Sequence, residues 1–228
     1  MTKGLKIKVG DRPKRRGVLL VDDHPLFRKG MTQLLGQAAD FEVRAEANNS
    51  LAALDAIRKE KFDLAIIDVG LGGGTNGIEL IKMINAEQPE LRMLIVSMHD
   101  EALYAERALR AGARGYVMKR EAPDSILNAV RDVLSGGIYV STSMSKQMLH
   151  YHIQGRGEAC SPVEGLTDRE LEIFQLIGEG NDMHEIARQL HLSKKTVEAH
   201  RANIKEKLSI SSAREVVRHA TQWVAAQG

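Results

Sequence analysis

The sequence predicts an α/β fold, a doubly wound five-stranded parallel sheet, followed by a small all-α domain. Three observations predict it. Over residues 17–137 short apolar runs alternate with segments of helical period, the pattern of strand–helix units on a parallel sheet. After Leu166 the strand signal stops, and only short helical segments follow. Between these regions lies a stretch dense in Ser, Gly and Pro.

The strands are expected at 18–21, 41–45, 64–67, 93–96 and 116–118. The second is expected to be the least buried, because Glu42, Arg44 and Glu46 interrupt it. Helices are expected near 25–35, 50–59, 77–86, 101–109 and 124–134, with a short linker helix over 146–153. Beyond it, Thr167 with Glu170 and Ser212 with Glu215 have capping-box spacing, and Asp182 and Ser193 are good N-cap residues for the two helices between. The division is a basic, disordered tail at 1–16, an α/β domain at 17–137, a linker at 138–164 and a helical domain at 165–228.

An apolar fraction of 43% over 228 residues is enough for two packed cores. No apolar run approaches the roughly 18 residues of a membrane span, so no membrane partner is expected and the cytoplasm is the expected location. Cys160 is the single cysteine, which excludes an intrachain disulfide and a thiolate metal cluster.

Four of the apolar runs end in residues suited to phosphoryl chemistry: Asp22-Asp23, Asp68, Ser97 and Lys119. Ligands of open α/β sheets bind beyond the carboxyl ends of the strands, so these residues are expected to converge, with Asp68 exposed at the mouth. Three carboxylates can hold Mg²⁺, a hydroxyl can donate to a phosphoryl oxygen, and an ammonium can pair with another. Alone, Asp22-Asp23 would be a solvated turn and Lys119 a surface lysine. Agreement among four strand ends favours a site.

These residues resemble the receiver domain of bacterial response regulators, a flavodoxin-like fold, and Tyr116, three residues before Lys119, matches the family's switch aromatic. The resemblance implies Asp68 as phosphoacceptor, Asp23 as a direct Mg²⁺ ligand, Asp22 as a water-mediated one, and Gly70 as donor of a backbone carbonyl to the metal. Two departures stand out. The family's prolines after the acceptor and after the lysine are replaced by Leu71-Gly72-Gly73-Gly74 and by Arg120, and the glycine loop is one residue longer. Glycine leaves such a loop loose, so mobility after Asp68 is expected. An aspartyl-phosphate phosphatase is the enzymatic alternative, but its acid two positions after the nucleophile is here Gly70, which has no proton to give. No enzyme activity is expected. His99, two places after Ser97, sits where it can influence phosphoryl hydrolysis.

The helix expected over 193–208 puts Val197, Ile204 and Leu208 on one stripe, with His200 at its margin and small and charged residues opposite. Residues 160–187 are mainly acidic and 188–218 mainly basic, which places positive charge where a duplex would favour it. The segments Leu166-Thr167-Asp168-Arg169-Glu170 and 192–204 are similar to the LuxR-type helix-turn-helix. That resemblance implies Glu198, Ala199 and Ala202 near base edges, with Lys195, Thr196, Arg201 and Lys205 nearer phosphates. Met183-His184 departs from the family's usual polar residue and lysine, which weakens one backbone contact.

Together the resemblances imply a response regulator of the NarL/FixJ type: a transcription factor phosphorylated by a sensor histidine kinase, with Mg²⁺ as cofactor and double-stranded DNA as partner. Val216, Val217, Ala220 and Trp223 in the last helix suggest a homodimer on DNA. A third reading is a phosphorylation-gated module whose helix-turn-helix recruits protein.

Overall fold

The computed structural model describes residues 15–71, 75–154 and 162–226. Most of the expected basic tail, the glycines at 72–74 and Cys160 lie outside the described residues. Arg16, assigned above to the tail, opens the first strand, and its guanidinium bonds Asp63 at 3.0 Å.

Five strands, β1 (Arg16–Val21), β2 (Phe41–Ala47), β3 (Leu64–Ile67), β4 (Arg92–Ser97) and β5 (Gly115–Met118), form one parallel sheet in the order β2-β1-β3-β4-β5. The register aligns Val21 with Ile67, Ile67 with Ile95 and Ile95 with Tyr116, so the carboxyl ends of four strands finish at nearly one level. The order reverses between β1 and β3, the place where such sheets open a crevice.

Helices α1 (Pro25–Gln37) and α5 (Pro123–Ser135) cover one face, packing Met31, Leu35, Ile126 and Val130 on Leu20, Ile66 and Val96. On the other face lie α2 (Ser50–Lys59), α3 (Gly77–Glu87) and α4 (Glu101–Ala111). Covering both faces requires continuous apolar strands, which β1, β3 and β4 have; β2 at the edge mixes buried and exposed positions as expected. Asn49, Asn76 and Asp100 cap α2, α3 and α4 through side chains that accept backbone N–H groups, whereas Pro25 and Pro123 open α1 and α5.

The linker helix, α6 (Thr142–Gln154), begins four residues earlier than expected. Ser141 Oγ accepts the Met144 N–H at 3.0 Å, and Met144 is buried, so a start that reads as loop chemistry is capped and anchored. The helical domain comprises α7 (Asp168–Gly178), α8 (Met183–Gln189), α9 (Lys194–Lys207) and α10 (Ala213–Ala225). Thr167, Asp182 and Ser212 close capping boxes and Ser193 caps α9. Gly178 lets α7 and α10 cross closely, since a Cβ there would lie 2.5 Å from the Ala220 carbonyl oxygen.

One contiguous cluster of buried apolar side chains extends from Leu19 and Ile95 through Tyr104 and Tyr116 to Leu166, Leu171 and Phe174. The two domains therefore share a seam. Polar residues of α7, namely Asp168, Arg169, Glu170 and Glu172, are each 5% exposed or less. Partners for the first come from the α/β domain: Lys82 Nζ lies 2.8 Å and Arg107 Nη1 3.2 Å from Asp168, and Arg107 Nη1 also donates to the Leu166 carbonyl. No helix among the described residues is long and apolar enough to cross a membrane.

Candidate functional site

Asp22 and Asp23 follow β1, Asp68 follows β3, Ser97 ends β4 and Lys119 follows β5. The structure brings four of them into direct contact. Lys119 Nζ stands 2.6 Å from Asp68 Oδ2 and 2.6 Å from Asp22 Oδ2, and Ser97 Oγ donates to Asp68 Oδ1 at 2.6 Å. Asp22, Asp23, His24 and Asp68 each offer a ligand atom within 4.8 Å of the others. Lys119 stays in place without a following proline because its N–H donates to the Ser97 carbonyl at 2.7 Å.

One expectation is corrected. Asp68 does not lie open at the mouth; it is 4% exposed, because Lys119 and Ser97 engage its two oxygens and the His24 ring stands over it, with Nδ1 3.9 Å from Oδ2. Its immediate neighbours are polar: Asp22, Ser97, Lys119 and His24. His24, itself well exposed, also approaches Asp23 Oδ1 at 2.8 Å.

Electrostatics favour a cation here. Burial raises the Asp22 carboxyl above its ordinary range, the neighbouring Asp68 charge raises it further, and Lys119 offsets part of this. Asp22 Oδ2 and Asp23 Oδ1 are buried, and the nitrogens that meet them are Lys119 Nζ at 2.6 Å and His24 Nδ1 at 2.8 Å. Three clustered carboxylates suit a hard divalent ion, and Mg²⁺ takes carboxylates with waters and phosphate oxygens.

Three contributors were not read from the sequence. Phe27 presents its ring 4.4 Å from Lys119 Nζ, a cation–π contact that fixes the ammonium. Arg28 donates to the Asp22 carbonyl at 2.5 Å and holds the acidic turn. Gly77, the first residue of α3, donates to the Val69 carbonyl, and a Cβ on it would stand 1.9 Å from the Asp68 carbonyl oxygen. Of these only the Asn76-Gly77 pair carried a turn-like signal.

Tyr116, which matches the family's switch aromatic, is buried, and its hydroxyl donates to the His99 carbonyl at 2.9 Å. Burial, and secondarily the Asp68 charge, push its phenol well above the ordinary range, so it stays a donor. Gly70 lies beside the pocket, a Cβ there being 4.0 Å from Asp68 Oδ2 and 3.3 Å from the His99 ring. A cavity of about 410 Å³ lined by Lys82, Asn85, Arg107, Arg110 and Asp168 lies at the domain seam and includes none of these pocket residues.

On the second domain, α9 buries Val197 and Ile204 and leaves Lys195, Glu198, Ala199 and Ala202 exposed, with Thr196, Arg201 and Lys205 half-buried beside them. Burial, with Arg169 nearby, lowers the His200 imidazole below its ordinary range, in keeping with a packing role. Along α10, Val216 and Ala220 are core, Trp223 packs on Phe174 at 5.7 Å between rings, and Val217 is exposed. His191, in the turn before α9, takes a left-handed φ of 51°.

Comparison with known proteins agrees with this layout. Residues 18–131 match the response regulator receiver domain, and residues 164–220 match the bacterial regulatory proteins of the luxR family. Transcriptional activator protein ExaE of Pseudomonas putida is 36% identical over 206 residues, covering 90% of this chain and 96% of its own length. Oxygen regulatory protein NreC of Staphylococcus carnosus is 32% identical over 207 residues, covering 89% and 95%. Among solved structures, RcsB of Salmonella enterica bound to promoter rprA with the phosphomimetic BeF3- is similar at a TM-score of 0.61 and 25% identity, covering 91% of this chain and 99% of that one. With an acidic pocket on an α/β domain, a helix-turn-helix behind it and relatives matched over nearly their full length, this chain belongs to the NarL-type response regulators, DNA-binding transcription regulators with an N-terminal receiver domain.

Proposed function

We propose that Asp68 accepts a phosphoryl group from the phosphohistidine of a sensor kinase, with Asp22, Asp23, Asp68 and the Gly70 carbonyl holding Mg²⁺. The observation that carries this reading is the meeting of Asp22, Asp68, Ser97 and Lys119 around one point, although they are spread over 98 positions of the chain. Bound Mg²⁺ supplies positive charge against the crowding of anionic oxygens. Asp68 attacks phosphorus, the nitrogen–phosphorus bond of the donor breaks, and the phosphoryl group arrives with a charge of about −1.5 to −2. Ser97 Oγ and Lys119 Nζ, now bound to Asp68, pass to phosphoryl oxygens.

On the output side α9 enters the major groove with Glu198, Ala199 and Ala202 toward base edges and Lys195, Thr196, Arg201 and Lys205 toward phosphates. Two copies pair on DNA through the α10 face that carries exposed Val217. The chain works in the cytoplasm as a regulator, not as an enzyme. Selection from a random pool of duplex DNA, with and without acetyl phosphate, would enrich paired half-sites; no enrichment under either condition would favour the protein-recruiting alternative.

The test of the acceptor is Asp68→Asn. Wild-type protein incubated with acetyl phosphate and Mg²⁺ should gain one phosphoryl mass, and the variant none. A variant that labels as fully as wild type sinks the assignment.

A further inference from the structure

His99 is where the pocket and the second domain touch the same side chain. On the pocket side, His99 Nδ1 lies 3.1 Å from Ser97 Oγ, its backbone N–H donates to the same hydroxyl at 3.3 Å, and its carbonyl accepts the Tyr116 hydroxyl at 2.9 Å. Gly70 lies against the ring, and Tyr104 meets it edge-on with centroids 4.9 Å apart. Across the seam, His99 Nε2 approaches Glu172 Oε1 of α7 at 3.8 Å.

Glu172 leads on into the DNA-binding domain. Its other oxygen accepts from Arg169 Nη1 at 2.6 Å, and Arg169 Nη2 donates to the Leu190 carbonyl at 2.9 Å. Leu190 closes α8 immediately before the turn into α9. Direct contacts therefore join the phosphoacceptor to the turn that aims the reading helix: Asp68, Ser97, His99, Glu172, Arg169, Leu190.

We propose that His99 is the positioning residue that reports the phosphorylation state of Asp68 to the DNA-binding domain, through its contact with Glu172. This rests on Asp68 being the acceptor. The two-state element is the Ser97 hydroxyl, which donates to Asp68 now and to a phosphoryl oxygen afterwards. When the hydroxyl turns, His99 Nδ1 loses its partner on the pocket side, and the loop that Tyr116 also holds is released.

The distance sets the order of events. At 3.8 Å the His99–Glu172 contact exceeds hydrogen-bond length, so a small shift of the loop dissolves it at little cost. The salt bridges of Asp168 to Lys82 and Arg107 are closer and must be broken outright. The His99 contact yields first, and the seam opens from the pocket side. Because the reading face of α9 is already exposed, the seam controls the aim and pairing of the DNA-binding domain rather than masking it.

The experiment uses the full chain and one mass spectrometer. Intact mass reads phosphorylation by acetyl phosphate with Mg²⁺, and hydrogen–deuterium exchange reads peptides spanning residues 166–176. In wild type, exchange there should rise on phosphorylation. In His99→Ala it should already be raised without phosphodonor, because the pocket end of the seam is open, and should rise less on phosphorylation than in wild type. Glu172→Gln, placed in the other domain, should behave alike, and the double variant should exceed neither single one. Low exchange that still rises on phosphorylation in both single variants overturns the inference, as does additivity in the double variant. Should His99→Ala fail to fold, Glu172→Gln alone decides by the same criterion. A wild-type adduct that persists in Asp68→Asn defeats instead the acceptor assignment, so the two failures are distinguishable.

Discussion

Gly77 shows how little freedom single positions have around Asp68. A methyl at this residue cannot coexist with the Asp68 carbonyl 1.9 Å away, so β3 and α3 must part. Gly77→Ala should lose about 1–3 kcal/mol, the usual cost of overpacking, and should slow acetyl phosphate labelling because the Asp68 backbone is what moves. Urea denaturation alongside intact mass checks both; unchanged stability would show that the loop gives way freely. Asp22, Asp68, Ser97 and Lys119 were legible because each ends an apolar run, which places it at the rim of a buried sheet whatever the helices do. His24, Phe27 and Gly77 were not. A histidine beside two acids reads as solvated turn, a phenylalanine in an amphipathic helix reads as core, and a glycine after Asn76 reads as a helix start. Their roles arise from neighbours distant in sequence.

Helix α7 joins a locally coded start to a buried polar first turn. Its start was legible from Thr167 and Glu170, and the structure closes that capping box. Glu170 also accepts from Lys207 of α9 at 2.6 Å, so one carboxylate ties the first turn of α7 to the last turn of α9. Burial by itself would raise this carboxyl, but Lys207 and the Thr167 donors outweigh it and hold it below its ordinary value of 4.5. A depressed acid adds stability above its unfolded value and loses it as pH falls from about 4.5 through the folded value. Glu170→Gln should therefore be less stable than wild type near neutral pH, with the gap closing as pH falls below 4.5 through the folded value, as followed by urea melts monitored by circular dichroism. A gap independent of pH would mean that shape, not charge, joins the helices. What the sequence hid was the burial of the rest of this turn. An acidic run looks solvated until Lys82, 86 positions earlier than Asp168, is known to face it.

Across the whole molecule, the apolar cluster and the Asp168 clasp join the two domains into one body. Calorimetry of the unmodified chain should show a single cooperative transition. Replacing Lys82 and Arg107 together by Ala should split it into two, because it leaves a buried carboxylate unpaired, a change that typically costs about 3–5 kcal/mol. A single transition at an unchanged temperature would locate the coupling elsewhere. Sheet order, helix positions and domain division were readable because periodicity and capping are local. The seam was not, since neither half announces which of its faces the other will cover.

The seam bears on how such parts can be recombined. Tyr104 and Arg107 on one side and Leu166, Asp168, Glu172 and Gln175 on the other form a matched lock, joined by links such as Tyr104 Oη to Gln175 Oε1 at 3.3 Å. Grafting this receiver onto a relative's output helices without transplanting both sides of that lock would give a chimera that is permanently unlatched: each half folded, the phosphate received, and nothing left for it to release.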